Sequence, residues 1–302
     1  MNKNDNPLVS VILVNYNGYE DTKECVISLL TCGYSNLKII IVDNASNINK
    51  AIYDEVIKKP QCEILELEEN IGFAGGNNKG IQLAKKYGTD YYLILNNDTI
   101  VRPGFLQPLL AIAKNDSQVG IVTGKILYYD DPGILWYGGG CYDDSLGEMK
   151  IRGIGEQDSE QYNKRELVPF ATGCLWLLPN IVVEDVGYMC EDYFLYYEDA
   201  DYCARVRKKG YKIVYEPMSV ILHKESRTTK KGSDQYQYFV NRNYLFYIKT
   251  YITTNRMKFY WKRACMILRS VVRKRMKISV AYKIWKDFLL NNRGNLLTGD
   301  SK

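Results

Sequence analysis

Four short β-rich runs, all of strand length, constrain this chain more than any other feature: Val9–Val14, Leu37–Val42, Cys62–Leu67 and Tyr91–Leu95. Helical patterns alternate with them. Glu20–Leu30 turns Cys25, Val26, Leu29 and Leu30 to one side, Ala51–Ile57 and Gly75–Tyr87 follow, and Phe105–Ala113 comes after the last run. Strand–helix alternation of this kind builds βαβ units on a parallel sheet. The expected fold class is therefore α/β, a mainly parallel central sheet flanked by helices. The runs also end in polar residues, at Asn15, at Asp43 and at Asn96-Asn97-Asp98. Polar side chains at the carboxyl ends of parallel strands face the crevice where such folds bind ligands.

The pattern changes further along. Val119–Tyr129 reads as strand, residues 130–166 as turns and loops around short strands, and Val168–Leu178 as strand interrupted by Thr172-Gly173. Ala200–Lys209 reads as a helix stopped by Gly210, and Tyr211–Tyr215 and Ser219–His223 as two short final strands. Apolar residues make up 46% and charged residues 25%, as in soluble globular proteins. No run approaches the ~18 apolar residues of a membrane span. The polar N-terminus and short first apolar run do not make a signal peptide, so the expected location is the cytoplasm. The eight cysteines include no Cys-x-x-Cys pair and are expected as reduced, mostly buried thiols.

Charge is distributed unevenly. Thirteen of the 40 Lys and Arg fall between Gln235 and Lys286, a stretch without Asp or Glu, so the body is acidic and the tail basic. As a helix, Met257–Val272 sets Met257, Tyr260, Trp261, Ala264, Ile267, Leu268, Val271 and Val272 on one face. Lys258, Lys262, Arg263, Arg269, Arg273 and Lys274 take the other. Such a helix suits an anionic membrane surface, on the inner face of the plasma membrane, or packs on the body with a solvated basic side. Nucleic acid is not expected, since no recognition fold accompanies the charge.

Several residues could carry chemistry. Asp43, just after the second run, can accept hydrogen bonds from a ribose hydroxyl or a base N–H, or can cap a turn. Asn70-Ile71-Gly72-Phe73-Ala74-Gly75-Gly76-Asn77-Asn78 is a glycine-rich turn between strand and helix, open to phosphate or simply tight. Asp98 can hold a hard divalent cation that grips diphosphate oxygens, or serve the turn. Glu198-Asp199-Ala200-Asp201 puts three carboxylates at a helix start. They complement its dipole, or, desolvated by Tyr193–Tyr197, supply a general base. His223, the only histidine, closes the last run.

Taken together these segments resemble the family 2 glycosyltransferases of GT-A fold, the rhamnosyltransferase-like and galactofuranosyltransferase-like branches above all. The matching pieces are Val9–Asn17, Ile41–Ser46, Asn70–Asn78, Leu95–Asp98, Ala171–Gly173, Tyr197–Asp201, Gly210-Tyr211 and His223, whose order and spacing are specific together. The resemblance implies inverting transfer of a sugar, rhamnose favoured, from a nucleotide-diphosphate sugar to a glycan or lipid-linked acceptor. Asp43 matches the nucleoside-binding acid, with Asn15, Gly72, Phe73, Asn78 and Asn97 on the donor side and Gly173 and Trp176 on the acceptor side. Asp98 matches the last acid of the Asp-x-Asp motif, which holds Mn2+ or Mg2+, and His223 a metal-ligating histidine. Asp199, beside Glu198, matches the general base. Asn96 stands where the motif's first Asp is usual, and an amide is the weaker ligand.

The implied organisation is a GT-A catalytic domain over residues 1–234, with 1–115 the nucleotide-sugar half and 116–234 the acceptor half, then a basic helical extension over 235–302. Two rivals remain. A nucleotidyltransferase normally needs a basic glycine-rich loop after the first strand, and Asn15-Tyr16-Asn17-Gly18-Tyr19 contains no Lys or Arg. A non-catalytic nucleotide-sugar or membrane-surface binding protein would not need the intact Glu198-Asp199 pair.

Overall fold

Strands rich in consecutive apolar residues can be covered on both faces, and three of them lie side by side in one sheet. The computed structural model describes residues 6–47, 58–225 and 232–294, so the helix expected at Ala51–Ile57 lies outside the described residues. β1 (Val9–Asn15) leads through α1 (Tyr19–Leu30) to β2 (Leu37–Asp43), and β3 (Cys62–Glu66) through α2 (Gly72–Ala84) to β4 (Tyr91–Asn96). β1 runs parallel to β2 on one side and to β4 on the other, with Val11 opposite both Ile39 and Leu93. Those strands supply the fully buried core, including Ile12, Ile40, Ile41 and Ile94.

The glycine-rich stretch differs from its reading as a turn before a helix at Gly75, because the helix begins at Gly72. Close packing explains it. A Cβ on Gly80 would lie 2.4 Å from Ile12 Cγ2, and one on Gly76 2.8 Å from Val14 Cγ1. These glycines let α2 lie tight against β1, and their cost in helix propensity is offset by that approach.

The chain continues through β5 (Thr99–Val101), α3 (Leu106–Asn115), β6 (Val119–Tyr128) and β7 (Leu135–Tyr137). The small hairpin β8 (Gly140–Asp143) and β9 (Glu148–Ile151) precedes β10 (Glu166–Leu167) and β11 (Leu175–Pro179). Then come α4 (Asn180–Val186), α5 (Glu198–Lys208) and β12 (Lys212–His223). The main sheet has the order β10-β12-β6-β11-β4-β1-β2-β3, with β5 on β12 and β7 on β6. Its parallel half is the expected one, and β11 enters antiparallel between β4 and β6. Two strand readings change. The strand expected from Val168 starts at Leu175, because residues 172–174 turn away to line a cavity. The two last strands are one, and its ladder to β6 shifts between Glu216 and Val220, around Pro217, which has no N–H to pair.

Three helices complete the chain: α6 (Asp234–Tyr251), α7 (Arg256–Val272) and α8 (Ile278–Leu289). Ser233 caps α6 by accepting from Tyr236 N–H at 3.2 Å. Phe194, Tyr238, Phe239, Leu245, Ile267 and Ile284 belong to a second apolar cluster that joins these helices to the segment before α5. The burial of α7 corrects the expected division of its faces. Arg263, assigned to the basic side, points inward, with Nη2 2.6 Å from Glu148 Oε2 and its guanidinium 3.6 Å from the centre of the Tyr244 ring. Phe259 and Ile267 flank it inside, while Met257, Trp261, Leu268 and Val272 remain exposed. A buried ion pair and a cation–π contact decide which side turns in. Among the described residues no helix is long and apolar enough to cross a membrane.

Candidate active site

A cavity of about 590 Å³ opens at the carboxyl ends of β1 and β4 and runs under the start of α5. Its wall includes Gly72, Phe73, Asn97, Asp98, Gly173, Glu198, Asp199 and His223, all singled out from the sequence. The structure thus brings together residues as far apart as 72 and 223.

The Asn96–Asp98 turn is held from both sides. Asn97 Nδ2 lies 2.9 Å from Thr22 Oγ1, 3.2 Å from Asn15 Oδ1 and 3.3 Å from Gly18 O, which fastens the turn to the start of α1. Asp98 O accepts from Lys224 N–H at 3.0 Å, which draws the end of β12 across. His223 follows, with Nε2 3.1 Å from Asp98 Oδ1 and its ring edge to face with that of Trp136, the ring centres 4.4 Å apart. Both groups are buried. Among the described residues neither ring nitrogen has a well-aligned hydrogen-bond partner, so the 3.1 Å approach is proximity rather than a directed bond. A buried imidazole normally has its nitrogens satisfied. Imidazole nitrogen beside a carboxylate oxygen is a donor pair that fits a divalent transition-metal ion such as Mn2+ better than Mg2+, which prefers oxygen ligands. Among the described residues no group of three or more His, Cys, Asp or Glu could hold a metal ion.

Across the cavity, residues 193–197 deliver α5. Phe194, Tyr196 and Tyr197 all have positive φ, at 59°, 68° and 73°. The left-handed region is unfavourable for such residues, and surrounding structure must hold it. Asn243 of α6 does so: its Nδ2 lies 2.8 Å from Tyr193 O, 2.9 Å from Leu195 O and 2.8 Å from Tyr196 O. Phe194 O in turn accepts from Phe73 N–H at 2.9 Å. Gly72 is required beneath it, since a Cβ there would lie 2.3 Å from that oxygen.

Asp199 Oδ1 accepts from Ala200 N–H at 2.8 Å and Oδ2 from Gly173 N–H at 3.4 Å. Protein surrounds it while part of its surface stays open to the cavity, and burial lifts its carboxyl from 3.8 to about 6 despite those N–H donors. Glu198 is buried, and burial followed by the neighbouring Asp199 charge pushes it well above the usual range. Its Oε2 has no hydrogen-bond partner among the described residues. Both adjacent carboxyls are therefore raised, Asp199 by burial and Glu198 by burial together with the neighbouring charge.

Other sequence candidates fall elsewhere. Asn15 is fully buried, and its Oδ1 accepts from Gly18 N–H and Thr22 Oγ1 at 3.0 Å, so it shapes the turn instead of lining the cavity. Asp43, also outside the lining, accepts from Ser46 N–H at 2.7 Å. Asn78, read as a donor-side residue, braces the chain from inside by exchanging hydrogen bonds with Met189, each at 3.0 Å. Trp176, read as an acceptor-side residue, lies in the core stacked 5.4 Å from Tyr202. Alternation explains it, since neighbouring residues of a strand face opposite sides.

The sequence reading missed Trp136, Gln235 and Tyr236, which also line the cavity. Tyr236 meets Tyr196 edge to face at 5.3 Å. The first turn of α6 thus belongs to the wall, and the division at 234/235 runs through the site. An aromatic at the start of a capped helix was the only available signal.

Residues 10–187 match the sequence model of Glycosyl transferase family 2. Over 240 residues the chain is 24% identical to the low-salt glycan biosynthesis hexosyltransferase Agl10 of Haloferax volcanii, with 77% of this chain and 72% of that protein covered. Over 213 residues it is 28% identical to the poly-beta-1,6-N-acetyl-D-glucosamine synthase of Staphylococcus aureus, which covers 70% of this chain. It spans about half of that synthase, 48%. The fold is similar to that in the crystal structure of GalNAc-T7 with UDP, GalNAc and Mn2+, with a TM-score of 0.63 at 19% identity over 86% of this chain and 55% of that one.

Proposed function

This chain belongs to glycosyl transferase family 2, and on that premise we propose that it transfers a hexose, with inversion, from a nucleotide-diphosphate sugar to a hydroxyl of a glycan or lipid-linked acceptor. Rhamnose is the sugar favoured, from the resemblance to the rhamnosyltransferase-like branch. The observation that carries the reading is the meeting of Asp98, His223 and Asp199 on one cavity.

Asp199 is the general base. Its carboxylate takes the acceptor hydroxyl proton as that oxygen attacks the anomeric carbon, on the face opposite the bond to the diphosphate. The new C–O bond forms while the old one breaks, and the nucleotide diphosphate leaves with the electron pair. Burial supports this role, since it makes Asp199 a stronger base than a solvated carboxylate. Glu198, raised by burial and by the neighbouring Asp199 charge, sits beside it at the start of α5. Asp98 and His223 would hold a divalent cation, Mn2+ or Mg2+, which supplies charge neutralisation at the diphosphate when bound. Gly72, Phe73 and Asn97 line the donor side, with Asp43 the nucleoside acid, and Gly173 the acceptor side. Residues 1–115 form the donor half, 116–234 the acceptor half, and the extension from 235 completes the wall. The enzyme works in the cytoplasm, on the inner face of the plasma membrane, where lipid-linked acceptors are found.

The test is a panel of nucleotide sugars assayed for binding and for nucleotide release, with Mn2+ and with chelator. Metal-dependent release from one donor, enhanced by a hydroxyl acceptor, is expected. Binding of a donor with no turnover under any of these conditions would favour a non-catalytic carrier instead.

A further inference from the structure

The most unusual surface of the molecule is the outward side of α7 and α8. On α7, Met257, Trp261, Leu268 and Val272 are each between 62% and 75% exposed. At 3.6 residues per turn they share an arc of about 60°. On α8, Ile278, Tyr282 and Leu289 are 68–75% exposed and share an arc of about 40°. Elsewhere among the described residues large exposed apolar side chains occur singly, as at Ile27, Leu167 and Met218. Scattered apolar residues are ordinary, whereas aligned stripes mark a surface with a partner.

Charge identifies the partner. Lys258, Lys262, Arg269 and Arg273 follow the α7 stripe along one border, Lys274 and Arg275 occupy the turn, and Lys283 and Lys286 flank the α8 stripe. α7 has no acidic residue, and the single acid of α8, Asp287, is buried under the Tyr238 hydroxyl at 2.6 Å. The inward side is already satisfied by Arg263 on Glu148 and by Ile267 and Ile284 in the second core. The stripes are therefore surplus to the packing of these helices.

We propose that this face docks on an anionic lipid bilayer, the apolar stripes entering the head-group boundary and the Lys and Arg border meeting lipid phosphates. The inference rests on the reading of a membrane-side acceptor for its purpose, while its observations lie outside the cavity. A second copy of the chain fits less well, because face-to-face pairing would oppose the two basic borders. Nucleic acid would use the charge but leave the stripes in water.

The experiment uses the full chain with vesicles of phosphatidylcholine alone or mixed with phosphatidylglycerol, scored by flotation at low and high salt. Binding to the mixed vesicles at low salt is expected, at least tenfold weaker on neutral vesicles and weakened by salt. The double variants Trp261→Ser/Leu268→Ser and Arg269→Glu/Arg273→Glu should each lower binding tenfold or more, with unchanged circular dichroism. Equal, weak binding to both vesicle types at low salt overturns the proposal, as does wild-type binding by both variants. So does a dimer in solution that Trp261→Ser/Leu268→Ser disperses, which gives the face to a second copy. Nucleotide release, measured without vesicles, should be the same in all variants. Its absence in the wild type counts against the catalytic reading and leaves the vesicle result standing.

Discussion

Replacing Asn243 by alanine tests whether the C-terminal helices hold the loop that leads into α5. The Asn243 amide is the shared partner of three carbonyls, at 2.8, 2.9 and 2.8 Å, in a loop with three residues at positive φ. A buried carbonyl left without a donor costs about 1–3 kcal/mol. Water can reach the two partly buried ones, so the net loss is roughly 2–4 kcal/mol, or a fall in Tm of about 5–15 °C. Left-handed backbone is retained only while its surroundings enforce it. The loop should relax, Phe194 O should withdraw from Phe73 N–H, and Asp199 should shift at the start of α5. A displacement near 1 Å costs roughly 100-fold in rate, so kcat should fall about 10–100-fold well below the melting temperature. Asn243→Asp is the sharper variant. It keeps the shape and the acceptor for Arg242 Nε, 3.0 Å away, but turns oxygens toward three carbonyls. Thermal melts, with steady-state kinetics at a temperature where each variant is folded, decide the matter. Wild-type kcat in either variant would show that the loop keeps its form without the clamp.

The remaining predictions concern the cavity. Turnover should rise with pH to a plateau above about 6, falling about tenfold per pH unit below, since the Asp199 carboxyl, raised by burial, must lose its proton to act as base. Asp199→Asn should bind donor normally and lose roughly 100–10,000-fold in kcat across the whole range; a profile unchanged by that variant places the base elsewhere. Asp98→Ala should abolish most stimulation by Mn2+ and weaken Mn2+ binding measured by calorimetry or by electron paramagnetic resonance, and wild-type binding would remove it from the metal set. Gly72→Ala should destabilise the fold by roughly 2 kcal/mol or more, since its φ is +79° and the added methyl meets the Phe194 carbonyl; a melt within 1–2 °C of wild type argues against that fit.

Much of the fold could be read from the sequence because the parallel half writes its burial into composition. Ile39, Ile40, Ile41 and Val42 are all buried, and no solvated strand tolerates such a run. What could not be read was decided by pairing across long separations. Leu175–Pro179 has the same residues whether it runs with β4 or against it, and its antiparallel place between β4 and β6 is a matter of pairing across the sheet. The helical start at Gly72 was hidden because glycine is a turn signal by propensity. Here it answers to the distance between α2 and the Ile12 and Val14 side chains, a tertiary quantity.

The site divides along the same line. Asp98, Asp199 and His223 were legible because a polar residue at a strand end or helix start has few places to point other than the crevice. Asn78 and Trp176 stand in equally suggestive stretches, yet one braces Met189 and the other fills the core, since one step along a helix or strand turns a side chain away. Trp136 and Tyr236 approach from the opposite direction. Neither neighbourhood carries a motif, and they reach the cavity because β7 pairs with β6 and α6 is pinned through Asn243. The same pinning links the two parts of the molecule that the charge pattern separates. α7 and α8 pack on α6, α6 holds the carbonyls of residues 193–196, and that loop positions Glu198 and Asp199. A force on the outward stripes of α7 and α8 therefore has a continuous path of packed side chains and three hydrogen bonds to Asp199, the proposed general base.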